Sequence, residues 1–173
     1  TLTGTGSVQF DSNGDRIYGD NSKALTSGVL TIATKDNFAE TVSITAADIY
    51  AKSGTLSGLV ITPAVGAYES VATGDWSDPA TWNTYDGSSW VAATVPPTSA
   101  NAPTITIQAG NTVTVTAPVT ADGITVQTNG QIIVNSGQTL TVANGTSTDL
   151  DVYGTVNVLG TLVLSSSAIA LVD

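Results

Sequence analysis

The chain has 173 residues, with no Cys, Met or His, 4 basic and 14 acidic residues, and a net charge of −10. Charged residues make up 10% of it, against roughly 25% in an ordinary soluble domain. That composition excludes a thiol nucleophile, a disulfide framework, a zinc site of the usual kind and a Ser-His-Asp triad, and the acidity argues against nucleic acid or an anionic membrane as partner. The charge is unevenly spread: Arg16, Lys23, Lys35 and Lys52 are the only bases, and no base follows residue 52. The first part carries −2 and the rest −8, an asymmetry that suggests two modules. No Met opens the chain, and no leader or apolar run of membrane-spanning length is present. It therefore reads as mature or excised material, without membrane insertion. Low charge with abundant Thr, Ser, Asn and Gly suits a secreted, extracellular or cell-surface protein kept soluble by hydroxyls.

In chain order, the first module spans 1–65. Candidate strands are 7–10 (SVQF), 29–34 (VLTIAT), 41–46 (TVSITA) and 59–62 (LVIT), with at most one helical turn at 46–51. This is an antiparallel pattern of Ig-like type, with too few strands for a complete sandwich. The missing strands are expected earlier in a parent protein or from a neighbouring chain. The loop DSNGDRIYGD brings Asp11, Asn13, Asp15 and Asp20 together in sequence. Its D-x-N-x-D start matches the oxygen-rich opening of a calcium loop. Arg16 stands where an EF-hand has Gly, and Ser22 where it has the bidentate Glu. The competing reading is a turn whose Asx side chains cap their own backbone. Lys23, Lys35 and Lys52 are candidates for a Lys–Asn/Asp isopeptide.

Residues 66–103 read as linker and aromatic cap, the linker centred on 63–73. Residues 74–97 hold Trp76, Trp82, Trp90 and Tyr85 and end in Pro96-Pro97. Two roles compete for this cluster. The aromatics can cover the exposed end of a coil, as buried Trp usually does. Alternatively they form a platform that stacks on sugar rings, with Asp75, Asp78 and Asp86 as hydroxyl acceptors.

Residues 104–173 show alternating apolar pairs, from Ile105/Ile107, Val113/Val115, Ile124/Val126, Ile132/Val134 and Leu140/Val142 to Leu150/Val152, Val156/Val158, Leu162/Leu164 and Ile169/Leu171. This is period-two patterning with one face in and one out. Gly and Asn-Gly punctuate it. Uniform aliphatics inside and Thr, Asn and Gln outside predict a right-handed parallel β-helix of about three coils, with polar ladders on its surface. The fold class is therefore all-β: a partial Ig-like antiparallel sandwich followed by a parallel β-helix. The pattern is still that of a strand at the C-terminal AIALVD, so more coils or another chain are expected to cover that end. Asp149 and Asp151 flank Leu150 and read as two solvent-facing acids rather than a glycosidase pair. Asn144-Gly-Thr is a sequon and also a turn signal.

The run W-S-D-P-A-T-W (76–82), followed by these repeats, resembles a module of large secreted proteins of Bacteroidetes, similar to type IX secretion cargo. It is more weakly similar to the glycine-rich domain of some animal extracellular polysaccharide-handling proteins. The opening TLTGTGSVQF (1–10) and AETVSITA (39–46) resemble bacterial Ig-like repeats of surface adhesins. These resemblances imply stalk-like or surface-retained modules and supply no catalytic residue. The expected function is a non-catalytic structural or adhesive segment that associates with itself or with neighbouring modules. A carbohydrate-binding module and a fragment of a polysaccharide-processing enzyme are the alternatives. Calcium is the one candidate cofactor.

Overall fold

A computed structural model describes residues 1–14, 18–36, 40–145 and 148–172. The chain is all-β and divides into two compact units, 1–63 and 64–173. Among the described residues no helix is long and apolar enough to cross a membrane.

The first unit contains β1 (Leu2–Gly4), β2 (Gln9–Asp11), β3 (Ala33–Lys35), β4 (Thr41–Ala47) and β5 (Ser53–Val60). Strands β1, β4 and β5 form one antiparallel sheet, and β2 with β3 a separate ribbon. Its buried hydrophobics are Leu2, Phe10 and Val42, while every residue of β5 is exposed. The expected strand at 29–34 is confined to its end, where β3 begins. The helical turn expected at 46–51 is instead the β4–β5 hairpin. There the Asp48 carboxylate accepts from the backbone N–H groups of Tyr50 and Lys52 at 2.8 and 2.9 Å, and an Asx turn competes successfully with helix.

The second unit opens with β6 (Tyr68–Ser70) and β7 (Gly74–Asp75), a single 3₁₀ turn at Pro79–Thr81, and the strands β8 (Trp82–Tyr85) and β9 (Trp90–Ala92). Three turns of a solenoid follow. The first is β10 (Ile105–Ile107), β11 (Thr112–Val115) and β12 (Val119–Ala121). The second is β13 (Ile124–Val126), β14 (Gln131–Val134) and β15 (Thr139–Val142). The third is β16 (Leu150–Val152), β17 (Thr155–Val158) and β18 (Thr161–Leu164), and β19 (Ala170–Val172) begins another. Corresponding strands pair in parallel and build three sheets: β6-β10-β13-β16-β19, β7-β11-β14-β17 and β12-β15-β18. Within the stretch expected as linker at 63–73, β6 joins the solenoid by pairing in parallel with β10. Beyond β6 the first sheet continues into the antiparallel hairpin β8–β9.

Inward residues stack in register: Ile105 on Ile124 on Leu150, Val113 on Ile132 on Val156, Val119 on Leu140 on Leu162. From Ile105 to Val142 the inward aliphatics of β10, β11 and β13 to β15 are fully buried. The final pair differs from expectation. Ala170 and Val172, not Ile169 and Leu171, align with the inward Leu150 and Val152, and a one-residue shift exchanges the faces of a strand. Corners turn on glycine. A Cβ on Gly154 would press into the backbone carbonyls of Gln127 and Gly130, and one on Gly130 into that of Ile107. The expected outer ladders vary in length: Thr112, Gln131 and Thr155 align through three turns, Thr139 stacks on Thr161, and Thr120 stacks on Thr141 but then meets Val163.

All three Trp lie in this unit, so indole fluorescence follows its unfolding. Ile132→Ala should cost about 2–5 kcal/mol in a urea titration, the usual range for emptying a packed aliphatic site. Leu164→Ala, at a position already 46% exposed, should cost well under half as much.

Candidate functional site

The run from Trp76 to Trp82 builds the closed end of the solenoid, and most of its residues have a visible task. The Trp76 backbone N–H donates to Thr114 O at 2.7 Å, tying the run to β11. The Trp76 indole N–H donates to Pro97 O, and that of Trp82 to Trp76 O, both at 2.9 Å. Asp78 accepts from the Ala80 N–H and caps the short turn that Pro79 begins, as a short acid before Pro at a helix start should. Thr81 donates its hydroxyl to Asp75 O at 2.9 Å. The Trp76 and Trp82 rings meet edge to face with centroids 5.1 Å apart, and Tyr68 meets Trp82 at 6.5 Å. Both indoles join the same buried cluster as Ile105 and Val113.

The four aromatics proposed for sugar stacking therefore separate. Trp76 and Trp82 are 2% and 1% exposed and offer no ring face. Tyr85 and Trp90 are half-buried. They sit opposite each other on β8 and β9, with centroids 5.4 Å apart and planes inclined at 62°. Of the surrounding acids, Asp78 and Asp86 are engaged in turns. Asp86 accepts from the Ser88 and Ser89 N–H groups at 2.8 Å, and these bonds hold its carboxyl below the usual range. Glu69 instead lies on the sheet, accepting from Gln108 Nε2 at 2.7 Å. Burial pushes its pKa up, against the opposing Gln108 and Asn83 hydrogen bonds.

In the first unit the loop after β2 is closed by its own carboxylates. Asp11 is buried and accepts from the Gly14 N–H at 2.6 Å. Asp20 Oδ2 accepts from the Ser12 hydroxyl at 2.5 Å and the Ser12 N–H at 3.2 Å. The Ser12 hydroxyl is the main cause that lowers the Asp20 pKa. Asp20 Oδ1 is shielded from solvent without a hydrogen bond from the described residues. Asn13 is exposed, and Asp15 lies outside the described residues. Among the described residues no three ligating side chains form a group able to hold a metal ion. Lys23 and Lys52 are exposed.

Asp149 and Asp151 depart from expectation. Asp149 lies at the bend before β16, and the two are 1% and 2% exposed rather than solvent-facing. Asp149 accepts from the Gly145 N–H through Oδ1 and from the Ile169 N–H through Oδ2, both at 2.6 Å. The Asp122 carboxyl lies at the same corner, beside Gly145. Burial first, and then the neighbouring Asp149 side chain and its charge, raise Asp122 above its ordinary pKa. Three successive turns of the stack are thus fastened at one corner, with Tyr153 donating to Asp151 beside it. Reading the two acids as a strand pair hid this, because Asp122 and Ile169 are remote in sequence.

Comparison with protein-family models, curated proteins and solved structures returns no match.

A carboxyl with a raised folded pKa stabilises below its unfolded value and loses that contribution as pH rises through the folded one. Asp122→Asn should therefore lose less stability than the parent chain when pH climbs above the ordinary carboxyl range. Melting temperatures measured across that range check this; parallel curves would assign the pair no role.

Proposed function

We propose that the chain is a non-catalytic structural and adhesive segment of a large extracellular or cell-surface protein. Its first unit is an incomplete Ig-like module, its second a right-handed parallel β-helix, and it associates through the open end of the stack. The observation that carries this reading is the unequal burial of the first and last described turns of the stack. The first is closed by two buried indoles and an antiparallel hairpin. At the last, the inward residues Val158, Leu164 and Val172 are 41%, 46% and 80% exposed. Apolar rungs beside unpaired strand edges favour cover by another β layer, supplied by neighbouring modules or a second copy. Among the described residues of the first unit the buried hydrophobics are Leu2, Phe10 and Val42, which agrees with completion by another strand. Secretion by a type IX-like route remains part of the proposal, supported by the W-S-D-P-A-T-W resemblance alone.

Calcium belongs to the proposal at the 11–20 loop, supported by Asp20 Oδ1, which is shielded without a hydrogen bond from the described residues and lies beside Asp11. A chelator should lower the melting temperature of the first unit if the ion binds the folded state; an unchanged melting temperature discards calcium.

Sedimentation velocity across a wide concentration range, with negative-stain imaging, tests the assembly reading. Self-association should rise with concentration, and Leu164→Lys together with Val172→Lys should abolish it. Monomers at every concentration, unaltered by these changes, would contradict it.

A further inference from the structure

Alternation along the first sheet of the solenoid sorts its residues onto two faces. Tyr68, Trp82, Ile105 and Ile107 turn into the core. Their neighbours turn out, and the register aligns them across the strands. Asn83 of β8 sits opposite Glu69 of β6, and Glu69 opposite Thr106 of β10. Two residues along β8, on the same face, Tyr85 sits opposite Trp90 of β9. Gln108 follows Ile107 and is hydrogen-bonded to Glu69. All six side chains are half-buried. The strip ends on its far side at Thr125 and Asp151, which share this face and are buried.

We propose that this outer strip, formed by Tyr85, Trp90, Asn83, Glu69, Thr106 and Gln108, binds an uncharged oligosaccharide. The proposal deepens the adhesive reading above by naming what is adhered to, and rests on it.

The chemistry of the strip selects the ligand. Two half-buried aromatic rings in edge-to-face contact offer apolar surface, which suits the C–H faces of a sugar ring. Next to them stand a carboxylate, two amides and a hydroxyl, which together accept from and donate to vicinal hydroxyls. Neighbouring strands lie about 4.7–4.9 Å apart and diagonal neighbours on one face roughly 7–8 Å apart. Aromatic pair and polar row therefore address successive parts of one short chain rather than one point. The Gln108–Glu69 bond holds the carboxylate in place before any ligand arrives, which reduces the ordering cost of binding. Burial has already stripped part of the water from Glu69, so a sugar hydroxyl displaces less of it. Charge excludes the alternatives. No Lys, Arg or His occurs after residue 52, so nothing in this unit can neutralise a uronate, sulfate or phosphate, and Glu69 would repel one.

Titration of the full chain with cellohexaose, xylohexaose, mannohexaose and laminarihexaose, followed by amide chemical shifts, tests the inference, with hexagalacturonate as the anionic comparison. At least one neutral oligosaccharide should shift resonances of β6, β8, β9 and β10 selectively, and hexagalacturonate should shift none. Trp90→Ala should weaken binding about tenfold or more, as loss of an aromatic anchor does. Glu69→Gln keeps shape and bonding geometry, and should weaken binding less while leaving the melting temperature unchanged. The inference is overturned if no neutral member binds at millimolar concentration, if the shifts map elsewhere, or if both variants bind like the parent chain. Sedimentation of the parent chain keeps the two readings apart: no binding of a neutral oligosaccharide with self-association intact removes this inference alone.

Discussion

Parallel register is the constraint on which residues 64–173 depend. Each inward aliphatic must stand directly over the corresponding one of the preceding turn, because a single narrow core runs through the stack. Ile105, Ile124 and Leu150 form one such column and Val113, Ile132 and Val156 another. Burial at roughly 25 cal/mol per Å² of apolar surface rewards each column. A slip by one residue would turn the whole strand inside out. The same register places backbone against backbone at the corners, and this is why Gly130 and Gly154 stand where a side chain would meet carbonyl oxygens.

The first and last described turns of the stack differ. At the first, Trp76 and Trp82 fill the core cross-section, while their ring N–H groups satisfy the Pro97 and Trp76 carbonyls. Burying an indole there leaves no donor unpaired, as a buried donor requires. The sheet edge is then handed to an antiparallel hairpin rather than left as a bare parallel strand. At the last the columns reach exposed Val158, Leu164 and Val172. The absence of bases after residue 52 also acquires a local meaning. Carboxylates in this region are satisfied by backbone and side-chain N–H groups instead of cations: Asp78 and Asp86 in turns, Glu69 by Gln108, Asp149 by Gly145 and Ile169.

Alternation made most of the solenoid legible in the amino-acid sequence, down to its three turns. It failed where the pattern is ambiguous or absent. Val119–Ala121 was overlooked because its second inward residue is Ala, too small to announce a strand. In AIALVD both phases are apolar, so only the partner strand decides that Ala170 and Val172 face inward. Strand β5, SGTLSGLV, is rich in Gly and Ser and buries nothing, so no periodicity marks it along its length. Of the aromatic cluster, the placement of large aromatics just before the first coil points to a cap. The separation of Tyr85 and Trp90 onto the outer face follows from strand phase, which composition does not reveal. Asp149 was misread because its partners, Asp122 and Ile169, come together only through stacking.

Amide hydrogen exchange across the second unit tests the account most directly, since protection reports the local free energy of opening. Protection should be highest in β10, β13 and β14, stay high for the indole N–H groups of Trp76 and Trp82, and decline through β17 and β18 to β19. Rapid exchange at the two indoles, or a last described turn as protected as the centre, would contradict a stack closed before its first turn and uncovered at its last described one.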